Sequence, residues 1–273
     1  MSGNSQSAGD DLYIDFDGQQ LVISSDEPRA LEYFRRKYAH MLVSGNTQPI
    51  GKLSVLRSNG GYVVNGTVEL VHDSTIDTLY DYLCHDVFQW FVSTRFDLIW
   101  LHAGAVEKNG AGTVIAGHSG HGKSTLVTQL CERGWHLLSD EYAPIMPETN
   151  EIFPYPRTPR RRIFPGRELR QMEFGDFKME DIEIPAEAVR RTPVPLTTMV
   201  FPYFKIGEPS QIERLSSGDA SMEIVRNTTN FKHHRRLGIE WVVSLVKQIP
   251  CYRLTYSAGA DAADVLAATL DGK

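Results

Sequence analysis

Near the start of the chain, Leu12 to Phe16 and Leu21 to Ser24 alternate apolar and polar positions on either side of Asp17-Gly18. A period of two around Asp-Gly predicts a half-buried hairpin, because strand side chains alternate faces and Asp-Gly accepts the positive φ of a tight turn. The period then lengthens. Leu31, Phe34, Tyr38 and Met41 recur at helical spacing and predict an amphipathic helix over Glu27 to Met41. Leu53 to Leu56, Tyr62 to Val64 and Thr67 to His72, separated by Ser58-Asn59-Gly60-Gly61 and Asn65-Gly66, predict further short antiparallel strands. From Thr75 to Phe96, apolar Ile76, Leu79, Leu83, Val87, Phe88 and Phe91 predict a long helix with a core-facing stripe.

The second part of the chain changes texture. Ile99 to Val106 is an apolar strand, Lys108-Asn109-Gly110 a turn, and Gly112 to Ala116 a second strand. A helix over Ser124 to Arg133 follows and is closed by Gly134, where a left-handed cap favours glycine. His136 to Ser139 reads as a buried strand ending in Asp140-Glu141. Strand, helix and strand predict a right-handed crossover, with the acidic strand directly beside the one entering the helix and a ligand site at the carboxyl ends. Tyr142 to Ile163 is rich in proline and arginine, and Phe164 to Val194 is polar and irregular, which suits a lid or insertion. A strand over Thr197 to Phe201, helices near Asp219 to Asn227 and over 235–248, a strand over 251–256 and a helix over 259–270 complete the chain. The expected organisation is a disordered N-terminus (1–10), a small α+β unit with a long helix (11–96) and an α/β domain (97–273). No repeat or low-complexity tract is visible.

Composition narrows the function classes. With 273 residues, 41% hydrophobic and 23% charged, a sizeable core is available. The net charge of −6 argues against general nucleic-acid binding, and no apolar run approaches the ~18–20 residues that span a bilayer. The first ten residues lack the basic and apolar regions of a signal peptide. Cys84, Cys131 and Cys251 are odd in number and widely spread, as small core residues of a reducing compartment are. A cytoplasmic protein without membrane or nucleic-acid partners is expected; the sequence leaves a homo-oligomer open.

The chemistry concentrates in one loop. Gly117, Gly122, Lys123 and Ser124 satisfy G-x-x-x-x-G-K-[ST], the P-loop, between a β-branched strand and a helix. Gly117, Gly120 and Gly122 let consecutive N–H groups face one anion without Cβ atoms blocking it. The helix start adds its positive dipole end, Lys123 would neutralise the outer phosphates and Ser124 would hold Mg²⁺. His118, Ser119, His121 and Thr125 complete the candidate nucleotide-binding set; a glycine-rich turn with a solvent lysine would explain the glycines but not Lys-Ser. Asp140 and Glu141 are candidates for binding Mg²⁺ and for accepting the proton of an attacking hydroxyl. His102 alone reads as a packed strand histidine. Arg157, Arg160, Arg161 and Arg162 place four guanidinium groups within six positions of a chain of net negative charge. Arg157 and Arg160 are the candidate substrate-binding residues, suited to a carboxylate or phosphate.

Leu101-His102-Ala103, the run Gly117 to Ser124 and Arg133-Gly-Trp-His-Leu-Leu-Ser-Asp-Glu141 together resemble the catalytic domain of HPr kinase/phosphorylase. The likeness is firm over about 99–145 and looser to the end of the chain. It extends to HPr-kinase-related proteins found beside peptide-modification genes, including kinases of lasso-peptide precursors, which share the Leu-Leu-Ser-Asp-Glu and proline–arginine segments. The resemblance implies an α/β P-loop kinase fold of the HPr kinase/phosphoenolpyruvate carboxykinase type, with Asp140 as catalytic carboxylate and His102 as an active-site histidine near the phosphates. Glu141 stands where the family has a second aspartate. The family segment L-E-x-R-G-L-G has no counterpart, which disfavours HPr as substrate and phosphorylase activity; the N-terminal unit has no match in HPr kinase. The expected function is ATP- and Mg²⁺-dependent transfer of the γ-phosphoryl group to a hydroxyl of a small molecule or peptide. The competing reading is a nucleotide-binding regulatory or scaffold protein without phosphotransfer.

Overall fold

The computed structural model describes residues 11–72, 75–163 and 178–271. The expected disordered N-terminus and positions 164–177 of the expected lid lie outside them. The chain divides between Phe96 and Asp97 into two compact units.

In the first unit, β1 (Leu12–Phe16) and β2 (Gln19–Ser25) form the expected hairpin, with Asp17 and Gly18 at φ 50° and 79°. Helix α1 (Pro28–Lys37) carries the chain to β4 (Gly51–Ser58), which pairs with β2 in parallel. An all-antiparallel arrangement was expected; a helical crossover inserted between two strands permits parallel pairing instead. Helix α1 stops short of Met41 because Tyr38 leaves helical geometry and Leu42–Val43 (β3) pairs with β1. With β5 (Gly61–Asn65) and β6 (Glu69–His72) the strand order is β3-β1-β2-β4-β5-β6. Helix α2 (Ile76–Thr94) buries Leu79, Leu83, Val87 and Phe91, and the Phe91 ring meets Phe16 edge-on at 5.5 Å.

The second unit is a mixed α/β layer structure. Its strands are β7 (Ile99–Leu101), β8 (Ala103–Lys108), β9 (Ala111–Ala116), β10 (His136–Ser139), β11 (Ala143–Met146), β12 (Glu151–Ile152), β13 (Arg160–Ile163), β14 (Lys178–Asp181), β15 (Val194–Phe204), β16 (Gln211–Arg214) and β17 (Cys251–Tyr256). Helices α3 (Lys123–Cys131), α4 (Ser217–Asn227), α5 (Phe231–Gln248) and α6 (Gly259–Asp271) accompany them. One path through the sheet reads β10-β8-β9-β15-β17-β16, with β9, β15 and β17 parallel. The long β15 also pairs with β12, which continues through β11 to β7.

Both faces of this sheet are covered, and the alternation shows it. Ile115, Leu137 and Val200 pack with Leu126 and Leu130 of α3 and Ala263 and Leu266 of α6. Their neighbours Val114, Leu138, Met199 and Phe201 face Ile224 of α4 and Trp241 and Leu245 of α5. Burying apolar residues on two faces explains why these strands read as continuous hydrophobic runs.

Three expectations change. The acidic strand β10 is not directly beside β9: β8, turned back by Asn109 and Gly110 at positive φ, lies between them. The run Ile99 to Val106 breaks at His102, where the chain changes partners from β11 to β9 and β10 and the His102 amide bonds the Asn227 carbonyl at 2.7 Å. The stretch expected to be irregular contains β14 paired with β13, a 3₁₀ turn at Ala186–Ala188 and the start of β15. Helix α5 is interrupted at Arg235 (φ 45°), where the periodic run begins. Among the described residues no helix is long and apolar enough to cross a membrane.

Candidate active site

The site is built around the turn from β9 into α3. Gly120 and Gly122 have φ of 87° and 78°, the left-handed region that glycine enters at no steric cost. At Gly122 space imposes the same choice, since a Cβ would lie 1.9 Å from the Tyr256 hydroxyl. That hydroxyl donates to the His121 carbonyl at 2.7 Å and pins the loop from β17. Burial holds the Tyr256 phenol well above its usual pKa, so it remains a donor. The first intrahelical bond of α3 runs from the Leu126 amide to the Gly122 carbonyl. The Lys123, Ser124 and Thr125 amides precede it and form the positive end of the helix.

Lys123 is 8% exposed, and its Nζ donates to the Gly117 carbonyl at 2.7 Å and the His118 carbonyl at 3.3 Å. It also lies 3.1 Å from His102 Nε2. An ammonium group can only donate, so Nε2 accepts and the imidazole is neutral with its proton on Nδ1. The electrostatics agree. Burial, then the Lys123 charge, lowers the His102 pKa; burial lowers that of Lys123 against the opposing pull of Asp140 and Glu141. The His102 ring also meets Tyr142 edge-on at 6.0 Å.

The two carboxylates after β10 engage different partners. Asp140 is 4% exposed and accepts from Ser124 Oγ at 3.1 Å, so the intervening β8 does not separate it from the loop. Gly104 of β8 has no Cβ where Val127 of α3 approaches, which lets the helix lie close. Glu141 adopts φ 81° and pairs with Arg157 Nη2 at 2.8 Å. Arg157 is 3% exposed, and its guanidinium also lies over the Tyr142 ring at 5.9 Å. Ser139 Oγ meets the carbonyls of Tyr142 and Tyr155 and ties this turn together.

The structure therefore brings His102, Lys123, Ser124 and Asp140 together, with Glu141 and Arg157 behind them. Of the other arginines, Arg160 Nε lies 3.7 Å from Asp181 and Arg161 reaches Glu180 at 2.9 Å. Arg162 Nη2 donates to Ser119 Oγ at 3.2 Å and so reaches the loop. The sequence put Arg157 and Arg160 ahead of Arg162, which it left as a lesser candidate; strand alternation along β13, which puts residues 160 and 162 on one face, was the available signal. His121 Nδ1 lies 3.1 Å from the Pro202 carbonyl, and its ring meets His118 and Tyr203 edge-on at 5.7 and 5.6 Å. Tyr256 and Pro202 were also missed, and nothing local to those residues signals contacts with a loop so distant in sequence. Burial pushes the Cys131 and Cys251 thiols up to about 12 and about 11, so neither is a nucleophile.

This geometry defines an α/β unit with an anion-ready glycine loop flanked by buried ionisable groups. No protein-family model matches the chain and no curated protein sequence matches it. Among solved structures it is similar to the HPr(Ser) kinase/phosphatase from Coxiella burnetii, with 14% identity over 63% of this chain and 97% of that chain, at a TM-score of 0.33. A likeness at this level leaves the functional reading to the site's own geometry.

Proposed function

We propose that the second unit is a P-loop kinase domain of the HPr kinase/phosphoenolpyruvate carboxykinase type. It uses ATP and Mg²⁺ to phosphorylate a hydroxyl on a small molecule or peptide. The observation that carries this reading is the Ser124 Oγ–Asp140 Oδ2 contact of 3.1 Å at the mouth of the glycine loop, beside buried Lys123. Two hard oxygen ligands suit Mg²⁺, which takes few protein ligands and completes its shell with water and phosphate. When bound, Mg²⁺ would neutralise charge developing on the phosphate oxygens.

The chain's own residues do the rest. The amides at the start of α3 and the loop bind the polyphosphate, and Lys123 turns the donors now on the Gly117 and His118 carbonyls to phosphate oxygens while keeping its contact with His102. Neutral His102 holds the ammonium in place without adding competing charge. Asp140 accepts the proton of the attacking hydroxyl, and Arg157 fixes Glu141 and the turn that carries Asp140. Arg162, which reaches Ser119 of the loop, offers its guanidinium group to an anionic part of acceptor or nucleotide, and Arg160 on the same face of β13 joins it on leaving Asp181. The thiols of Cys84, Cys131 and Cys251 fit a reducing, cytoplasmic setting.

Asp140→Asn tests the assignment with γ-labelled ATP and candidate hydroxyl acceptors. ATP binding should persist while phosphoryl transfer falls by about 10²–10⁴-fold. Near-normal transfer would place the base elsewhere. A wild-type protein that binds ATP and labels no acceptor would be the regulatory or scaffold protein instead.

A further inference from the structure

Strand β9 has two flanks, and they differ. On the β8 side lie His102 and, one strand further, Asp140, with the Lys123 side chain turned toward them. On the β15 side the carboxyl end of the strand opens a cavity of about 490 Å³. The loop itself forms one wall, through Gly117, His118 and His121, so cavity and phosphate-binding backbone are continuous.

We infer that this cavity is the nucleoside subsite, taking the base and ribose of a nucleotide whose phosphates lie on the glycine loop. The inference rests on the kinase reading above. A polyphosphate with its terminal group between Lys123 and Asp140 that crosses the loop toward β15 enters this cavity past Gly117, His118 and His121. The volume falls in the ordinary range for a small-ligand site. The aromatic wall fits a planar base. Tyr203 is 48% exposed, unlike the buried tyrosines of this unit, and the His121 ring beside it is held by the Pro202 carbonyl. Gln211 and Thr255 add amide and hydroxyl groups to the lining.

Charge points the same way. The cavity's Lys205, Arg226 and Arg253 are each matched by a carboxylate: Glu208 at 2.8 Å, Glu223 at 3.5 Å and Glu213 at 3.2 Å. An anionic acceptor would have to displace one of these carboxylates, whereas a neutral heterocycle and sugar would not. The compensated lining thus favours the nucleoside over a phosphorylated or acidic acceptor.

Calorimetric titration of wild type, Tyr203→Ala and the cavity-filling Thr255→Phe with Mg-ADP and with inorganic triphosphate tests this. Both variants should bind ADP on the order of tenfold more weakly, as loss of a base-stacking wall or of its space does. Triphosphate affinity should stay within about twofold, which also shows that the loop is intact. Unchanged ADP affinity in both variants would overturn the nucleoside assignment alone, and a raised acceptor KM in those variants would then make the cavity the acceptor site. A wild-type protein that binds neither triphosphate nor ADP would overturn the phosphate-loop reading and this inference with it.

Discussion

Both units bury charged groups, and they use them differently. In the first, Glu27 is 2% exposed and accepts from the Arg29 amide at 3.1 Å and the Tyr62 hydroxyl at 3.0 Å, with Arg57 at 2.6 Å. It caps α1. Asp86, also 2% exposed, accepts from the Thr67 amide at 3.1 Å and fastens the β5–β6 turn to α2. Each carboxylate closes a local structural need, and these two stand apart on different elements. In the second unit Lys123, His102 and Asp140 come from three separate elements and converge beside a loop of positive-φ glycines. A buried charge is therefore weak evidence of function by itself. Convergence at the open end of a strand, around backbone shaped for an anion, is the informative feature.

That contrast can be broken by conservative substitutions made in parallel. Asp140→Asn should lower phosphoryl transfer by about 10²–10⁴-fold with ATP binding retained. Asp86→Asn should leave transfer unchanged and cost about 1–3 kcal/mol of unfolding free energy, because a buried amide replaces a bonded carboxylate. Equal effects of the two on transfer would erase the distinction. Glu27→Ala should cost about 1 kcal/mol, as loss of an N-cap does, with ATP affinity unchanged. Denaturant unfolding measured beside ATP calorimetry reads both effects.

A further effect is one of pH. Burial holds the folded-state pKa of His102 below its ordinary 6.5. The unfolded chain then takes up a proton that the folded one resists, so this contribution to stability is present above about pH 6.5 and is lost as pH falls through and below it. Thermal unfolding between pH 7 and pH 5 should be less pH-dependent in His102→Gln than in wild type, by at most about 1.4 kcal/mol per pH unit. Identical slopes would mean that His102 titrates as an exposed histidine.

Much of this was legible along the chain because it is local. The hairpin at Asp17-Gly18, the glycine loop and strand β17 follow from alternation and turn chemistry within a few residues. What escaped is set by distant pairing. Nothing between Gly117 and Asp140 announces that β8 is inserted between their strands, since β8 precedes both in the sequence. The break at His102 arises because Ile99–Leu101 and Ala103–Lys108 serve different neighbours, although the run is apolar throughout. Within the candidate site, residue types pointed to the loop and Asp140, which the fold brings together, whereas the Glu141–Arg157 pair, the Tyr256 clamp on His121 and the reach of Arg162 to Ser119 depend on tertiary placement that no local period encodes.

Calorimetric titration of Mg-ATP into wild type and Lys123→Ala tests the central claim most directly. The account predicts binding to wild type and at least a tenfold weaker affinity in the variant, as loss of a charge-assisted contact worth roughly 1.5–3 kcal/mol requires, with the folded structure retained by circular dichroism. Absence of binding to wild type, or equal affinity in a folded Lys123→Ala, would contradict it.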